Sequence, residues 1–174
     1  MRKTEKHYVL GIDLAPRSTG YALVTERGPI KKHVGHITSS KNDKLELSLE
    51  KFSSQILKLI KKLDKAYGLS LVVIESTPVF TNYHTAFLMA AFEAVTRHVL
   101  YMDYGRRYDK LFVIASVHDV RRFLKLKTKQ QVYDHINATF KMGFDKFETS
   151  NRQNDLTDAI ALGLYGLSIL NKKR

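Results

Sequence analysis

Two aspartates, Asp155 and Asp158, stand three residues apart at the start of the stretch NDLTDAIALGLYGLSIL. The apolar residues that follow them predict a helix with a wide buried face. Residues three positions apart lie on the same side of a helix, and the apolar stripe that we expect to face the core continues through Leu162, Tyr165 and Ile169. Carboxylates on a buried face are costly unless a cation meets them. The pair therefore suggests a cation site.

Two further acids end apolar runs. Asp13 stands near the end of YVLGIDL (8–14), and Glu75 stands near the end of LSLVVIEST (69–77). Both runs predict strands buried on both faces. If the strands are parallel neighbours joined by a right-handed crossover, their carboxyl ends meet at the edge where open α/β sheets bind ligands. A last helix packed on this sheet brings its two aspartates to the same edge.

Four neighbouring carboxylates cannot all ionise without a counter-charge, and hard divalent cations supply one. Ligation by oxygen alone favours Mg²⁺ or Mn²⁺ over zinc. Two such ions about 4 Å apart are suited to phosphodiester hydrolysis, because one side activates water and the other stabilises the leaving oxygen. Asp13 is the best candidate to bridge both ions.

Each acid also has a simpler interpretation. An acid at a strand end is often a solvated turn residue. Aspartates in the first turn of a helix favour the helix dipole, and Asn154 or Asp155 is also suited to cap the backbone. The combination of two similar strand ends with an acidic pair on an apolar stripe favours the cation site over these alternatives.

The remaining pattern indicates which elements position the acids. Strands are predicted at 8–14, 19–25, 30–39, 69–77 and 110–117. Helices are predicted at about 44–67, at 83–104, over VHDVRRFL, from a cap at Thr128 to Gly143, and over the final stretch. Short connections make the first three strands an antiparallel meander. The order predicts a five-stranded mixed sheet flanked by helices, an α/β fold, as one domain over 1–174.

Composition points to a polyanionic partner. The chain has 174 residues, with 29 Lys and Arg against 17 Asp and Glu, a net charge of +12 and a pI near 9.8. Such a balance favours nucleic acid as partner over a membrane surface. No apolar run reaches the length of a membrane span, no signal peptide is evident, and there is no cysteine. We therefore expect an intracellular, cytoplasmic and DNA-associated protein that is not secreted.

Three motifs carry a family resemblance: GIDLAPRSTGYALV (11–24), VIESTPVF (73–80) and NDLTDAIALGL (154–164). Together they resemble the RuvC family of Holliday-junction resolvases, within the RNase H-like superfamily. The family begins with a G-I-D-x-G-x-x-x-T-G-Y/W hairpin, has an apolar strand ending in I-E, and carries D-x-x-D-A near its C-terminus. The first motif alone also occurs in sugar-kinase-like ATPases. The resemblance spans essentially the whole chain and implies an RNase H-like fold.

By this resemblance Asp13, Glu75, Asp155 and Asp158 are the metal-binding, catalytic acids. Lys129, in TKQQVYDHI, matches a functional lysine of the family, and its alternative interpretation is a solvated lysine at a helix start. The expected cofactor is Mg²⁺ or Mn²⁺, two ions per active site. The implied activity is a structure-selective endodeoxyribonuclease of the crossover-junction type, leaving a 5′-phosphate and a 3′-hydroxyl.

Other residues are predicted to contact DNA. A basic cluster close to the proposed site provides phosphate contacts, which give affinity without base information. The cluster consists of Arg121, Arg122, Lys125, Lys127 and Lys129. Where the family carries an aromatic residue three positions after the glutamate, this chain has Pro78. Phe80 is then the candidate for a wedge between base pairs, or a packing residue. All seven histidines are expected to be structural or solvated, with His33 and His36 on opposite strand faces.

A four-way junction has two strands to cut, so a two-fold homodimer with one site per subunit suits it, and the resemblance implies the same. The apolar helix TAFLMAAFEAVTRHVLYM (85–102) is predicted to be buried against both the sheet and a partner. A core helix has the same pattern.

Three alternatives remain open. A nuclease acting on forks, three-way junctions, flaps or RNA–DNA hybrids would use the same fold and metals. A junction-binding protein would bind without cutting. A sugar-kinase-like ATPase needs two such domains, and this chain is too short for them.

Overall fold

The computed structural model describes residues 6–40, 42–76, 82–148 and 152–172. Within these ranges the strands form one five-stranded sheet with the order β3-β2-β1-β4-β5. The strands are β1 (Val9–Asp13), β2 (Ser18–Thr25), β3 (Gly28–Thr38), β4 (Leu71–Glu75) and β5 (Phe112–Ala115). Strands β1, β2 and β3 are antiparallel, whereas β4 is parallel to β1 and β5 is parallel to β4. The predicted meander, the mixed sheet and the α/β class are confirmed.

Six α-helices and one 3₁₀ turn are present in the described ranges. The helices are α1 (Leu45–Tyr67), α2 (Tyr83–Tyr104), α3 (Tyr108–Leu111), α4 (Val117–Leu124), α5 (Lys129–Phe140) and α6 (Gln153–Lys172), and the 3₁₀ turn is Gly105–Arg107. Helix α1 ends at Gly68 in the left-handed conformation, as predicted. None of these helices has the combination of length and apolar character required to traverse a lipid bilayer.

Alternation along the strands divides the core into two layers, because successive side chains of a strand point to opposite faces. Leu10 and Ile12 of β1 pack in the cluster that contains the buried residues of α1. Val9 of β1 and Val73 of β4 pack in the other cluster, with α5 and α6. The same two-residue period places Asp13, two positions after Gly11, on the face that α6 covers.

Helix α6 rests unusually closely on β1 and β2 because glycines form the contact. A Cβ atom at Gly11 would lie 2.0 Å from the backbone oxygen of Ala159, and one at Gly20 would lie 2.1 Å from that of Asp155. On the helix side, a Cβ atom at Gly163 would lie 2.5 Å from Val24. The sheet therefore contacts the helix backbone itself, which sets the height of the first turn of α6 above the strand ends.

The observed contact adds a row of small residues to the predicted apolar face of α6. The residues of α6 that approach the sheet most closely centre on Ala159, Gly163 and Gly166. Leu162 is buried in the core cluster that contains strand residues, and Tyr165 and Ile169 pack against this cluster, so the predicted stripe does face the core. Leu162 also lines a small cavity with residues of α4 and α5, and Tyr165 contacts Phe123 of α4.

The end of α5 and the start of β5 differ from the sequence prediction. Helix α5 ends at Phe140, where Lys141 takes a left-handed conformation with φ of 49°, rather than at Gly143. Leu111 belongs to α3 and not to the start of β5. Helix α2 lies against α1, and Phe92, Thr96 and Leu100 are its buried residues. Phe92 and Leu100 lie in the core cluster that also contains residues of β1 and β4, and the predicted burial of α2 against a partner stays a prediction.

Candidate active site

The four predicted acids meet at one cavity of about 320 Å³ at the carboxyl ends of β1 and β4. Asp13 is the last residue of β1 and Glu75 is the last residue of β4, and these two strands are parallel neighbours. The first turns of α6 bring Asp155 and Asp158 to the same cavity, which Arg121 and Lys129 also line. Residues from distant parts of the chain are thus assembled as the sequence suggested.

Thr19 secures the turn that follows Asp13. Its hydroxyl group accepts a hydrogen bond from the backbone N–H of Ala15 at 3.0 Å and donates one to the carbonyl oxygen of the same residue at 2.9 Å. Thr19 is fully buried. The end of β1 and the start of β2 are therefore held together by a side chain as well as by the strand pairing.

Asp13 is the most buried of the four acids, with 8% of its surface exposed. Burial raises the pKa of Asp13 well above its ordinary value. A hydrogen bond to the Glu75 carboxyl group and the charges of Glu75 and Asp158 raise the pKa further, and Lys129 acts in the opposite direction. The site therefore carries more negative charge than its own cation can balance.

Lys129 is positioned by a helix cap. Thr128 caps α5 and forms a reciprocal capping box with Gln131, which places Lys129 at the first helical position. Its ammonium nitrogen lies 2.8 Å from the Oδ2 atom of Asp158. Burial by itself would lower the pKa of Lys129, but the charge of Asp158, with Asp13 and Asp155, outweighs it and the pKa is raised. Lys129 is therefore a fixed positive charge inside the acidic cluster.

The two α6 acids also resist ionisation. Burial raises the pKa of Asp158; Lys129 opposes this shift and Glu75 adds to it. Burial likewise raises the pKa of Asp155, whereas Lys129, Ser18 and His36 favour its ionised form. The Ser18 hydroxyl is buried and has no partner with full hydrogen-bond geometry. The Ser18 oxygen is therefore close to the Asp155 carboxylate without a well-formed hydrogen bond to it.

The donor set fits Mg²⁺ or Mn²⁺, because it consists of oxygen atoms whose charges are poorly balanced. In the described part of the chain, no three His, Asp or Glu side chains already converge closely enough to bind one ion together. Asp13 is hydrogen-bonded to Glu75, and Asp158 is paired with Lys129. Binding an ion would require these carboxylates to exchange their present partners for the ion.

Comparison with solved structures identifies the fold. The chain aligns with RuvC of T. thermophilus in complex with a Holliday junction substrate at a TM-score of 0.71 and 14% identity, covering 96% of both chains. The Thermus thermophilus RuvC structure aligns at 0.68 and 13% identity, over 95% of this chain and 96% of that one. The yeast mitochondrial Holliday junction resolvase Ydc2 aligns at 0.61 and 15% identity, over 96% of this chain and 81% of that one.

The chain has the RuvC fold. The resemblance carried by the three motifs is confirmed at the level of architecture. In comparisons of sequence alone, no protein-family model and no curated protein matches the chain.

The RuvC fold brings only some of the predicted basic residues to the cavity. Arg121 lines it together with Val117, one helical turn earlier on α4, and Ser116 caps that helix directly after β5. Lys129 lines it from α5. The other three predicted cations, Arg122, Lys125 and Lys127, are exposed near the end of α4 and in the connection to α5. Phe80 lies outside the described residues.

Sequence reasoning missed two side chains beside the acids. His36 on β3 and Ser18 on β2 lie on the face of the sheet that α6 covers, and both favour the ionised form of Asp155. His36 was expected to be structural or solvated. Its position follows from the strand register, in which His36 pairs with Gly20 and Gly20 pairs with Asp13. A motif search has no access to this register, although a correct strand alignment would have revealed it.

Proposed function

We propose that the protein is a divalent-metal-dependent endonuclease that resolves four-way DNA junctions. The observation that carries the proposal is the convergence of Asp13, Glu75, Asp155 and Asp158 around one cavity that Lys129 and Arg121 also line. The RuvC fold and the strongly positive chain support the same substrate class. Two solved structures with this fold are described as a RuvC–Holliday junction complex and a Holliday junction resolvase.

The four acids would hold two Mg²⁺ or Mn²⁺ ions, with Asp13, the most buried of them, as the central ligand. When bound, such ions supply Lewis acidity that favours attack by water and departure of the leaving oxygen. In the hydrolysis, the oxygen of water bonds to phosphorus, the P–O3′ bond breaks, and the departing 3′ oxygen gains a proton. The products are a 5′-phosphate and a 3′-hydroxyl.

Lys129 and Arg121 are proposed to meet the phosphate. Both line the cavity, and positive charges directed at a phosphate are worth most where negative charge develops during the reaction. The ion pair between Lys129 and Asp158 holds the ammonium group beside the cavity before substrate arrives. On binding, the phosphate competes with Asp158 for this ammonium group, which frees the carboxylate for a cation.

A cleavage assay tests the proposal. Labelled four-way, three-way, fork, RNA–DNA hybrid and linear duplex substrates are incubated with the protein in Mg²⁺, in Mn²⁺ or in chelator. We expect metal-dependent paired cuts in the four-way junction and little cutting of linear duplex. Preferred cutting of hybrids or forks would assign another substrate to the same site. Tight junction binding without cutting in either metal would contradict the nuclease.

Exposed basic residues are expected to bind the phosphates of the DNA backbone. The triple variant Arg122→Gln, Lys125→Gln, Lys127→Gln should weaken junction binding, because each phosphate contact contributes about 0.9 to the slope of log K against log salt. We expect the slope to fall by about 2–3 in a binding titration over several salt concentrations. The matched control is Lys58→Gln, Lys62→Gln, Lys65→Gln, which removes the same charge from the outer face of α1. An equal loss of junction affinity in both variants would contradict a DNA-binding surface localised at these three residues.

We further propose that α2 joins two subunits into a homodimer. Its exposed residues recur every three or four positions and present small side chains between aromatic ones. The stripe is Tyr83, Phe87, Ala90, Ala94, Arg97 and Tyr101. Phe87 and Tyr101 expose 51% and 54% of their surfaces, and such a stripe suits packing of a second helix against the alanines.

A charge in the middle of this stripe should separate the subunits. Ala94→Glu buries an unpaired carboxylate if a partner helix covers it. We expect sedimentation to give a dimer for the original chain and a monomer for the variant, with paired cutting replaced by single nicks. Ala66→Glu, at an exposed position of α1, should remain dimeric. A monomeric original chain at micromolar concentration would contradict the interface.

A further inference from the structure

His36 contacts the beginning of α6 from the edge strand β3. Its Nε2 atom lies 2.9 Å from the carbonyl oxygen of Arg152. Since a carbonyl oxygen can only accept, the Nε2–H group donates this hydrogen bond. The same Nε2 atom is 4.0 Å from the Oδ2 atom of Asp155. His36 therefore hydrogen-bonds to the backbone before the acidic pair, and its ring lies 4.0 Å from the carboxylate of the first acid.

The carbonyl oxygen of Arg152 connects this contact to the backbone of Asp155. The backbone N–H of Asp155 donates to the same oxygen at 3.1 Å. One acceptor thus joins the imidazole of β3 to the first turn of α6. A hydrogen bond at this oxygen limits how far the turn can rotate, and the Cβ and carboxylate of Asp155 move with the turn.

Among the described residues, the neighbouring strand offers no side chain that bonds the carbonyl oxygen of Arg152. Gly20 lies opposite His36 in the register, and the backbone of Asp155 occupies the space where a Cβ at Gly20 would be. Ser18, on the same strand, favours the ionised form of Asp155, but its hydroxyl makes no hydrogen bond with full geometry. Among the described residues, His36 is therefore the side chain of the meander that holds the first turn of α6 by a hydrogen bond of normal length.

We propose that His36 is a positioning residue that orients Asp155 for binding a divalent cation. The inference rests on the proposed function in assigning the carboxylate cluster to divalent cations. Groups that orient a metal ligand without touching the ion commonly change metal affinity by about 10- to 100-fold when they are removed. His36 acts through Asp155 and through the carbonyl of Arg152, and it does not contact the reacting phosphate.

The chain provides a matched control on the same strand. His33 lies on the opposite face of β3, where its Nε2 atom is 2.7 Å from the Tyr67 hydroxyl and its ring meets the Tyr67 ring edge-on. Removing His33 costs a part-buried hydrogen bond and an aromatic contact, as removing His36 costs a hydrogen bond. The acidic cavity lies on the side of the sheet that His36 faces, so His33→Ala is expected to change the stability of the protein and not the cavity.

The test measures metal affinity without DNA. The thermal midpoint of the full chain is followed against Mn²⁺ concentration for the original protein, His36→Ala, His36→Gln and His33→Ala. We expect His36→Ala to raise the Mn²⁺ concentration for half-maximal stabilisation about tenfold. His36→Gln keeps an N–H donor and should restore most of the affinity. His33→Ala should lower the metal-free midpoint and leave the Mn²⁺ dependence unchanged.

Two results would overturn the proposal. One is a His36→Ala protein that loses thermal stability as His33→Ala does and keeps the original Mn²⁺ dependence, since His36 would then be merely structural. The other is an original protein that Mn²⁺ does not stabilise. Failure of the proposed function has a different signature, in which Mn²⁺ stabilises the protein normally and no junction is cut. In that case the shift with His36→Ala still decides the role of His36.

Discussion

Asp13→Asn should reduce junction cleavage by about 10³-fold while junction binding is retained. The substitution keeps the size of the side chain and removes the negative charge at the most buried position of the cluster. Without that charge the cavity loses its proposed central metal ligand, whereas the exposed cations that we propose to bind phosphate are untouched. Single-turnover cleavage and a binding titration in chelator separate the two effects. Full cleavage by Asp13→Asn would remove the basis of the proposed site.

The same variant should be more stable than the original chain when no metal is present. Burial and the neighbouring Glu75 raise the pKa of Asp13 above its ordinary value of 3.8, so the folded state holds this proton more tightly than the unfolded state does. The resulting stabilisation is complete below the unfolded pKa and is lost as pH rises through the folded pKa. Asparagine removes this dependence.

Thermal unfolding at several pH values in chelator checks the sign. The original chain should lose stability as pH rises from 4 towards neutrality, and Asp13→Asn should lose less. Adding Mn²⁺ should offset the loss in the original chain only. A stability that falls equally with pH in both proteins would show that another group is responsible.

Gly20→Ala should displace the acids of α6 and destabilise the fold. The added methyl group would lie 2.1 Å from the backbone oxygen of Asp155. A backbone atom cannot yield as the end of a side chain can, so the first turn of α6 must move off the sheet. We expect a loss of about 3 kcal/mol in the free energy of unfolding, with loss of cleavage in the protein that remains folded. Denaturant unfolding and cleavage at low temperature measure both.

Gly35→Ala provides the control for this change. Gly35 lies on the adjacent strand β3, and a Cβ there would meet the hydroxyl end of Tyr21 at 2.8 Å. Because a tyrosine side chain can shift, the same added methyl group should cost much less and leave cleavage intact. Equal losses of stability and cleavage in the two variants would indicate that any methyl group added to the meander is harmful. The close approach of α6 to Gly20 would then not explain the effect.

The strand ends explain why much of the fold and site was predictable. In the runs that end at Asp13 and Glu75, the apolar residues indicate a buried strand and the acid indicates where the strand reaches the edge of the sheet. Because the connections between β1, β2 and β3 are short, these strands were predicted to pair as an antiparallel meander. The right-handed crossover rule then predicted that β1 and β4 are parallel neighbours. The position of Lys129 at a helix start was predictable, because Thr128 and Gln131 form a capping pattern that is visible in the sequence.

Other features depend on contacts that no local pattern encodes. The row of small residues on α6 was not predicted because hydrophobicity ranks Leu162 above Gly163, whereas close approach to a sheet requires the glycine. The end of α5 at Phe140 requires a lysine in the left-handed conformation, which glycine adopts more readily. The contact between His36 and Asp155 joins residues 119 positions apart in sequence through strand register and helix height together.

The glycine contact between α6 and the meander also bears on how this protein can diversify. A larger side chain at Gly11 or Gly20 would overlap the α6 backbone that carries the two aspartates, so we expect these two positions to tolerate almost no substitution. Met89, Val117 and Arg121 line the cavity from α2 and α4. We therefore expect new substrate preferences to arise at such lining positions, while the glycine contact keeps the acids in place.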